Sequence, residues 1–449
     1  MNKDKTLNMT EGNTLKLLLF FSIPMLIGNL FQQLYNIVDS IIVGQLVGAD
    51  ALAAIGVTGS ITFLFFALCN GIGSGGGIIT SQYFGMNRED LVKRCISNAA
   101  YIMVIFPIIV GAVAFCLSKP LLILLKTPDN IMADALMYMR IMCVGLVFVS
   151  LYNYVSSMLR ALGDSKSPLY FLIFSCVLNT VLDIVFVKYL HLDVMGAGIA
   201  TLISQFVSGA LCILYAFKYN HYFKLTKEDL VVDKQIMFST LRLGIPLSLQ
   251  FSLIAISSMA LQRVVNSFGA IAVAAFTAGS RIEQVIHQPY QTLSTALSTF
   301  TGQNYGASKH KLMEEGYRKG LLLMFIFTVV MVISMQCFGR QITALFVSDS
   351  EVIEMGAISL KITSLFYIFL GMIYVVRGYL NGVGDAFFAL LNGIVEVIGR
   401  FTVPIILTMI PFIGVWGIWW SVGAVWFISG FTAWLRYIYT KKRYTTISS

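Results

Sequence analysis

Apolar runs long enough to cross a bilayer follow one another from Leu15 to Tyr439, with little between them. They fall at about 15–46, 51–77, 95–117, 133–160, 168–190, 196–218, 238–266, 271–300, 317–338, 356–380, 386–409 and 413–438. Each meets or exceeds the roughly 20 residues a helix needs to traverse hydrocarbon. Hydrophobic residues make up 57% of the chain and charged residues only 12%, far from the balance of a soluble domain. The reading is an all-α integral membrane protein of twelve transmembrane helices, with no room left for a soluble domain.

The polar opening MNKDKTLNMTEGNT precedes a run too long for a signal-peptide core, so it reads as a cytoplasmic tail. Seven scattered cysteines without C-x-x-C spacing read as free thiols. The net charge of +9 could suggest nucleic acid, but the basic residues are sorted by loop. Of 31 Lys and Arg, 22 fall on the termini and even-numbered connections. The opposite side has six: Lys119, Lys126, Arg140, Lys188, Arg340 and Lys361. Arg263, Arg281 and Arg400 lie within spans, and Arg377 is counted with the even-numbered connections. The positive-inside rule then places both termini and residues 219–237 in the cytoplasm, in a multi-pass protein of the inner membrane. The charge is a topology signal and implies no nucleic-acid partner.

The chain also repeats itself. Ile23-Pro24 recurs as Ile245-Pro246, Gly48-Ala49 as Gly269-Ala270, Gln82 and Gly85 as Gln303 and Gly306, and Gly163-Asp164 as Gly384-Asp385. One register persists over more than a hundred residues. Each half has an even number of spans, so both enter the membrane in the same orientation. The expectation is two six-helix lobes, 1–218 and 238–449, joined by the linker 219–237 and related by a pseudo-twofold axis along the membrane normal. Two such lobes rocking about a central site make the architecture of a secondary transporter.

Two aspartates of the first half stand deep inside spans, where a carboxylate costs about 2.5–3.5 kcal/mol unless protonated, paired or bound to a cation. Asp39 lies ~12 Å and Asp183 ~10 Å from the outer ends of their helices at 1.5 Å per residue. Asn179 is one turn from Asp183 on the same face, and Thr201 lies at similar depth, roughly 8 Å down. Two carboxylates, an amide oxygen and a hydroxyl form a hard-oxygen set suited to Na⁺ or a shared proton. Asn and Thr in a span more often glue helices together. The aspartates carry the functional reading.

With these residues in view, the chain resembles the multidrug and toxic compound extrusion (MATE) family, of the prokaryotic type with a cation site in the first lobe. The resemblance runs from SIPMLIGNLFQQLYNIVDSIIVGQL through LRALGDSKSP and LNTVLDIVF to YLNGVGDAFFALLNGIVE. It implies twelve helices in two lobes and export of drugs against Na⁺ or H⁺. It also implies cation ligands at Asp39, Asn179, Asp183 and Thr201, and a bend in the first helix at Pro24. Some relatives use an acid in helix 7; here that helix reads GIPLSLQFSLIAISSMALQRVVNSFG and has none.

The second half carries Glu283 and Glu396, the latter facing Arg400 at i,i+4. These three, with Gln33, Tyr35 and Asn36, are candidates to line a substrate cavity; Glu396 reads equally well as half of an ion pair. Two motifs are discarded. Gly71, Gly73 and Gly76 match G-x-G-x-x-G but follow a span, where close helix packing explains them better than a nucleotide loop. GDSKS lacks the phosphate-loop pattern. With neither nucleotide site nor catalytic constellation, an enzyme is not expected, and no cofactor beyond the coupling ion. The expected activity is antiport of organic, cationic and amphipathic compounds against Na⁺ or H⁺ by a monomer. The alternative is a flippase for a lipid-linked saccharide.

Overall fold

The computed structural model describes residues 6–447, apart from the side chains at 255, 258–260 and 442–447. Among the described residues there is no strand. In order, α1 is Thr14–Leu46, α2 Ala49–Gly85, α3 Glu89–Leu124, α4 Asp129–Ala161, α5 Lys166–Asp183 and α6 Asp193–Tyr219. The second half has α7 Lys234–Asn266, α8 Ala270–Gly306, α9 His310–Ala344, α10 Ser350–Ser364, α11 Tyr367–Gly382, α12 Ala386–Thr408 and α13 Gly417–Ile447. Among the described residues ten helices are long and apolar enough to cross a membrane, and α10 with α11, bent by 52°, makes one broken span more. The remaining long helix, α8, is diluted by Arg281, Glu283, Gln284, His287, Gln288 and Gln291.

The repeat extends to helix length and backbone. Both α1 and α7 have 33 residues, and both α2 and α8 have 37. Positive φ recurs at matching turns: Gly163 at 87° and Gly384 at 88°, Asn87 at 57° and Ser308 at 56°. At Gly163 the left-handed conformation has a second reason, because an added Cβ would lie 2.3 Å from the Leu7 carbonyl oxygen.

Contacts divide the chain into two units, Met1–Asn8 with Phe20–Leu249 and Met9–Leu19 with Gln250–Ser449. In the first unit α4 packs on α2, α3 and α6 around a core that includes Met103, Val155, Met158 and Leu159. The glycine-rich stretch of α2 is a packing seam against the first half of α7. A Cβ on Gly71 would sit 2.2 Å from the Ser248 nitrogen, and one on Gly75 would sit 2.6 Å from the Gly244 nitrogen. Only glycine permits that backbone-to-backbone approach. In the second unit α8 packs on α11 and α9, and α12 and α11 pack on α13.

Candidate functional site

Four elements of the first unit converge on one polar pocket. Helix α1 brings Tyr35 and Asp39, one turn apart. It runs through Pro24 without interruption, although a proline has no N–H for the carbonyl of Phe20. Helix α5 brings Asn179 and Asp183, which are 1% and 0% exposed. Helix α6 supplies Thr201, and α4 supplies Tyr138. The regular α-helix ends at Asp183, where residues Ile184–Tyr189 continue as a π-helix. Such wider turns recur at functional sites because they re-aim the residues beside them.

Asp39 and Asp183 face each other closely enough to interact directly. One buried oxygen of each, Oδ1 of Asp39 and Oδ1 of Asp183, has no hydrogen-bond partner. Of the two orientations of the Asn179 amide, one gives both its atoms complementary partners: the nitrogen donates to Asp183 Oδ2 at 2.9 Å, and the oxygen accepts from the Thr201 N–H at 3.1 Å. The Thr201 hydroxyl donates to the Ala197 carbonyl at 3.1 Å. Tyr35 lies near Thr201, and Tyr35 and Tyr138 are both within electrostatic range of the two aspartates. One turn beyond the polar groups, Val43, Val187 and Ala197 form part of an apolar cluster. Among the described residues no Lys, Arg or His forms an ion pair with either carboxyl.

All four oxygen-bearing residues singled out in the sequence therefore come together. Tyr35, read there as a cavity residue, joins them. Tyr138 was missed: an aromatic in a long apolar helix carries no charge signal, and only the packing of α4 against α6 reveals it. Gln33 is half-buried and Asn36 exposed on α1, where the Asn36 backbone oxygen accepts from Ser40 Oγ at 2.8 Å.

The second unit corrects one assignment. Arg377 is not a loop residue but is buried in α11, 6% exposed, with its guanidinium 2.5 Å from Glu396 Oε1. Its Nε donates to Asn392 Oδ1 at 2.9 Å. Arg400, the i,i+4 neighbour expected as the partner, is 3.9 Å from Glu396 Oε2 and so plays the lesser part. The span read from the sequence, 356–380, already contains Arg377; counting it with the connections follows only from its place near the end of that span. Glu283 of α8 lies at the break between α10 and α11, beside Thr363, Tyr367 and the Arg400 charge.

The MatE family model matches residues 24–185 and 246–403. The chain is 32% identical over 441 residues to the probable multidrug resistance protein YpnP of Bacillus subtilis (strain 168), with 97% of each chain covered. It is 24% identical over 421 residues to the multidrug export protein MepA of Staphylococcus aureus (strain MSSA476), covering 94% of this chain and 93% of that one. In fold it is similar to a MOP superfamily transporter from Pyrococcus furiosus, with a TM-score of 0.93 over 100% of both chains at 23% identity. A MATE transporter solved with MaD3S superposes with a TM-score of 0.92 over 98% of this chain and 99% of that one, also at 23% identity. The match of both halves, with the length of the relatives covered almost end to end, identifies this chain as a member of the MatE family, the multidrug and toxic compound extrusion transporters.

Proposed function

We propose that this transporter is a secondary antiporter that exports small organic compounds, cationic and amphipathic in character, in exchange for a monovalent cation, Na⁺ or H⁺, taken up at Asp39 and Asp183. The observation that carries the reading is the close approach of two carboxyl groups, Asp183 buried and Asp39 half-buried, with a buried, unpartnered oxygen on each and no basic partner among the described residues. Two carboxylates so close cannot both be ionised in low dielectric without a compensating charge. This constraint supports uptake of a proton or a metal cation at the pair. It holds two acids rather than three, which suits a singly charged ion. The multidrug names of the bacterial relatives supply the substrate class.

Coupling follows from where the acids sit. Asp39 belongs to α1 and Asp183 to α5, so occupancy by a cation removes the repulsion that would drive these helices apart. Pro24, about four turns from Asp39 along α1, leaves the Phe20 carbonyl without its helix partner, and α1 yields there most easily. Cation entry draws Asp39 toward Asp183, bends α1 and displaces the bound compound outward. Both termini and the linker between α6 and α7 face the cytoplasm in this scheme. The direct experiment is uptake of a fluorescent cationic drug into inverted vesicles, with the Na⁺ gradient and the pH gradient imposed separately. One gradient alone should drive uptake. Uptake that needs ATP and ignores both gradients would overturn the proposal.

A further inference from the structure

The connection from α6 to α7 is not a slack tether. Three polar side chains from one turn of α3 hold its backbone: Ser97 donates to the Asp229 carbonyl, Asn98 Nδ2 to the Val231 carbonyl at 3.1 Å, and the Tyr101 hydroxyl to the Leu230 carbonyl at 2.8 Å. Asn98 Oδ1 also accepts from the Asp233 N–H at 2.8 Å. The segment so fixed presents Leu230, Val231 and Val232 outward, at 45%, 59% and 59% exposure. A loop built for water alone would not hold three consecutive apolar side chains rigidly in solvent.

The position of the segment says what covers it. One turn beyond Tyr101 on α3, Val104, Ile105 and Ile108 are exposed, which in a transmembrane helix is the lipid-facing stripe. Leu230 to Val232 extend this stripe past the end of the span, and Tyr101 stands at the join, the usual depth for a membrane-interface tyrosine. The charges are sorted to match. Asp229 accepts from the Thr226 N–H and hydroxyl, both at 2.8 Å, and Asp233 accepts from the Gln235 and Ile236 N–H groups at the start of α7. Asp229 is thus buried and Asp233 is engaged at the start of α7, while Lys224, Lys227 and Lys234 are exposed with Glu228 the one exposed acid among them.

We propose that residues 224–234 form an interfacial anchor, with Leu230, Val231 and Val232 set into the edge of the bilayer and the three lysines on anionic lipid headgroups. The anchor would fix the α6–α7 connection to the membrane on its own side and make transport depend on the anionic lipid content of that leaflet. The proposal needs only the membrane-spanning fold and stands or falls apart from the coupling role of Asp39 and Asp183.

The test uses full-length protein in nanodiscs, with Cys116 and Cys337, the two exposed cysteines, replaced by Ser and Val231→Cys carrying a bimane label. The pins to α3 use backbone groups of the linker, so this substitution leaves them intact. Nanodiscs of phosphatidylcholine alone and with phosphatidylglycerol are compared, using a lipid-borne nitroxide and a water-soluble quencher. The expected result is quenching by the lipid nitroxide and shielding from the aqueous quencher, both stronger with phosphatidylglycerol. Lys224→Gln, Lys227→Gln and Lys234→Gln should each weaken the anionic-lipid preference about fivefold. A label equally open to the aqueous quencher in nanodiscs and detergent would overturn the proposal. So would shielding without lipid quenching, which means a protein segment covers the patch, or quenching that is the same in both lipids.

Discussion

Replacing Arg377 by Met tests whether the second unit depends on its buried ion pair. Arg377 and Glu396 are 6% and 4% exposed, their charged groups are 2.5 Å apart, and Arg377 also serves Asn392. Removing one partner of a buried pair costs about 3–5 kcal/mol, most of it the penalty of leaving the other charge stranded. Arg400, at 3.9 Å, is too distant to take over both oxygens of Glu396, and Asn392 Oδ1 loses its donor. For a unit of this size that translates into a fall in melting temperature of about 6–20 °C. The double variant Arg377→Met/Glu396→Met should recover most of the loss, because an apolar pair in place of a buried ion pair is close to neutral. The assay is the fraction of monodisperse protein left after heating in detergent, for both singles and the double. A single variant within a degree or two of the parent would refute the reasoning, as would a double variant as unstable as the two singles combined.

Asn179→Ala and Thr201→Ala each remove one neutral contact of the aspartate pocket, and should weaken cation affinity in vesicle transport several-fold without eliminating export. Gly71→Ala places a Cβ 2.2 Å from the Ser248 backbone, so membrane-extracted protein should run as aggregate, whereas Ala at Gly56, with nothing within 4 Å of its added Cβ, should be tolerated. Burial raises the pKa of the linker's Asp229, but the Thr226 N–H and hydroxyl, with the Lys93 and Arg94 charges, outweigh it and hold the group below its ordinary value. A depressed carboxyl contributes stability above its unfolded pKa and loses it as pH falls through the folded one. Hydrogen exchange across residues 226–233 should therefore stay slow down to the ordinary carboxylate pKa of about 4 and quicken only below it.

All the spans but α8, which carries several polar side chains, were legible because hydrocarbon imposes length and composition on a helix more strictly than any soluble core does. Repeat register was legible too, since Gly163 and Gly384 are held at positive φ by the same turn. Asp39, Asn179, Asp183 and Thr201 could be singled out because oxygen-bearing side chains at matched depth in apolar helices stand out one by one. What stayed hidden depends on neighbours far along the chain. Tyr138 and Arg377 are ordinary residues until α4 meets α6 and α11 meets α12. The π-helix after Asp183 and the bend at 365–366 leave no Pro or Gly mark, because wider turns and breaks are settled by packing. The linker, read as a polar connector, gave no sign that Ser97, Asn98 and Tyr101 would hold its backbone.

The central claim is that the two aspartates couple the cation to export, and the direct measurement is drug efflux by Asp39→Asn and by Asp183→Asn. Asn keeps the shape of the carboxyl while holding its position permanently neutral, which fixes the site near one end of its cycle. Each substitution also removes a costly buried charge, so both variants should reach the membrane at or above parental levels. Resistance in a pump-deficient host and vesicle uptake, at matched protein amounts, should both fall to the background of empty vesicles. Near-parental efflux by either variant would show that the carboxyl pair is structural, and the coupling mechanism would be wrong.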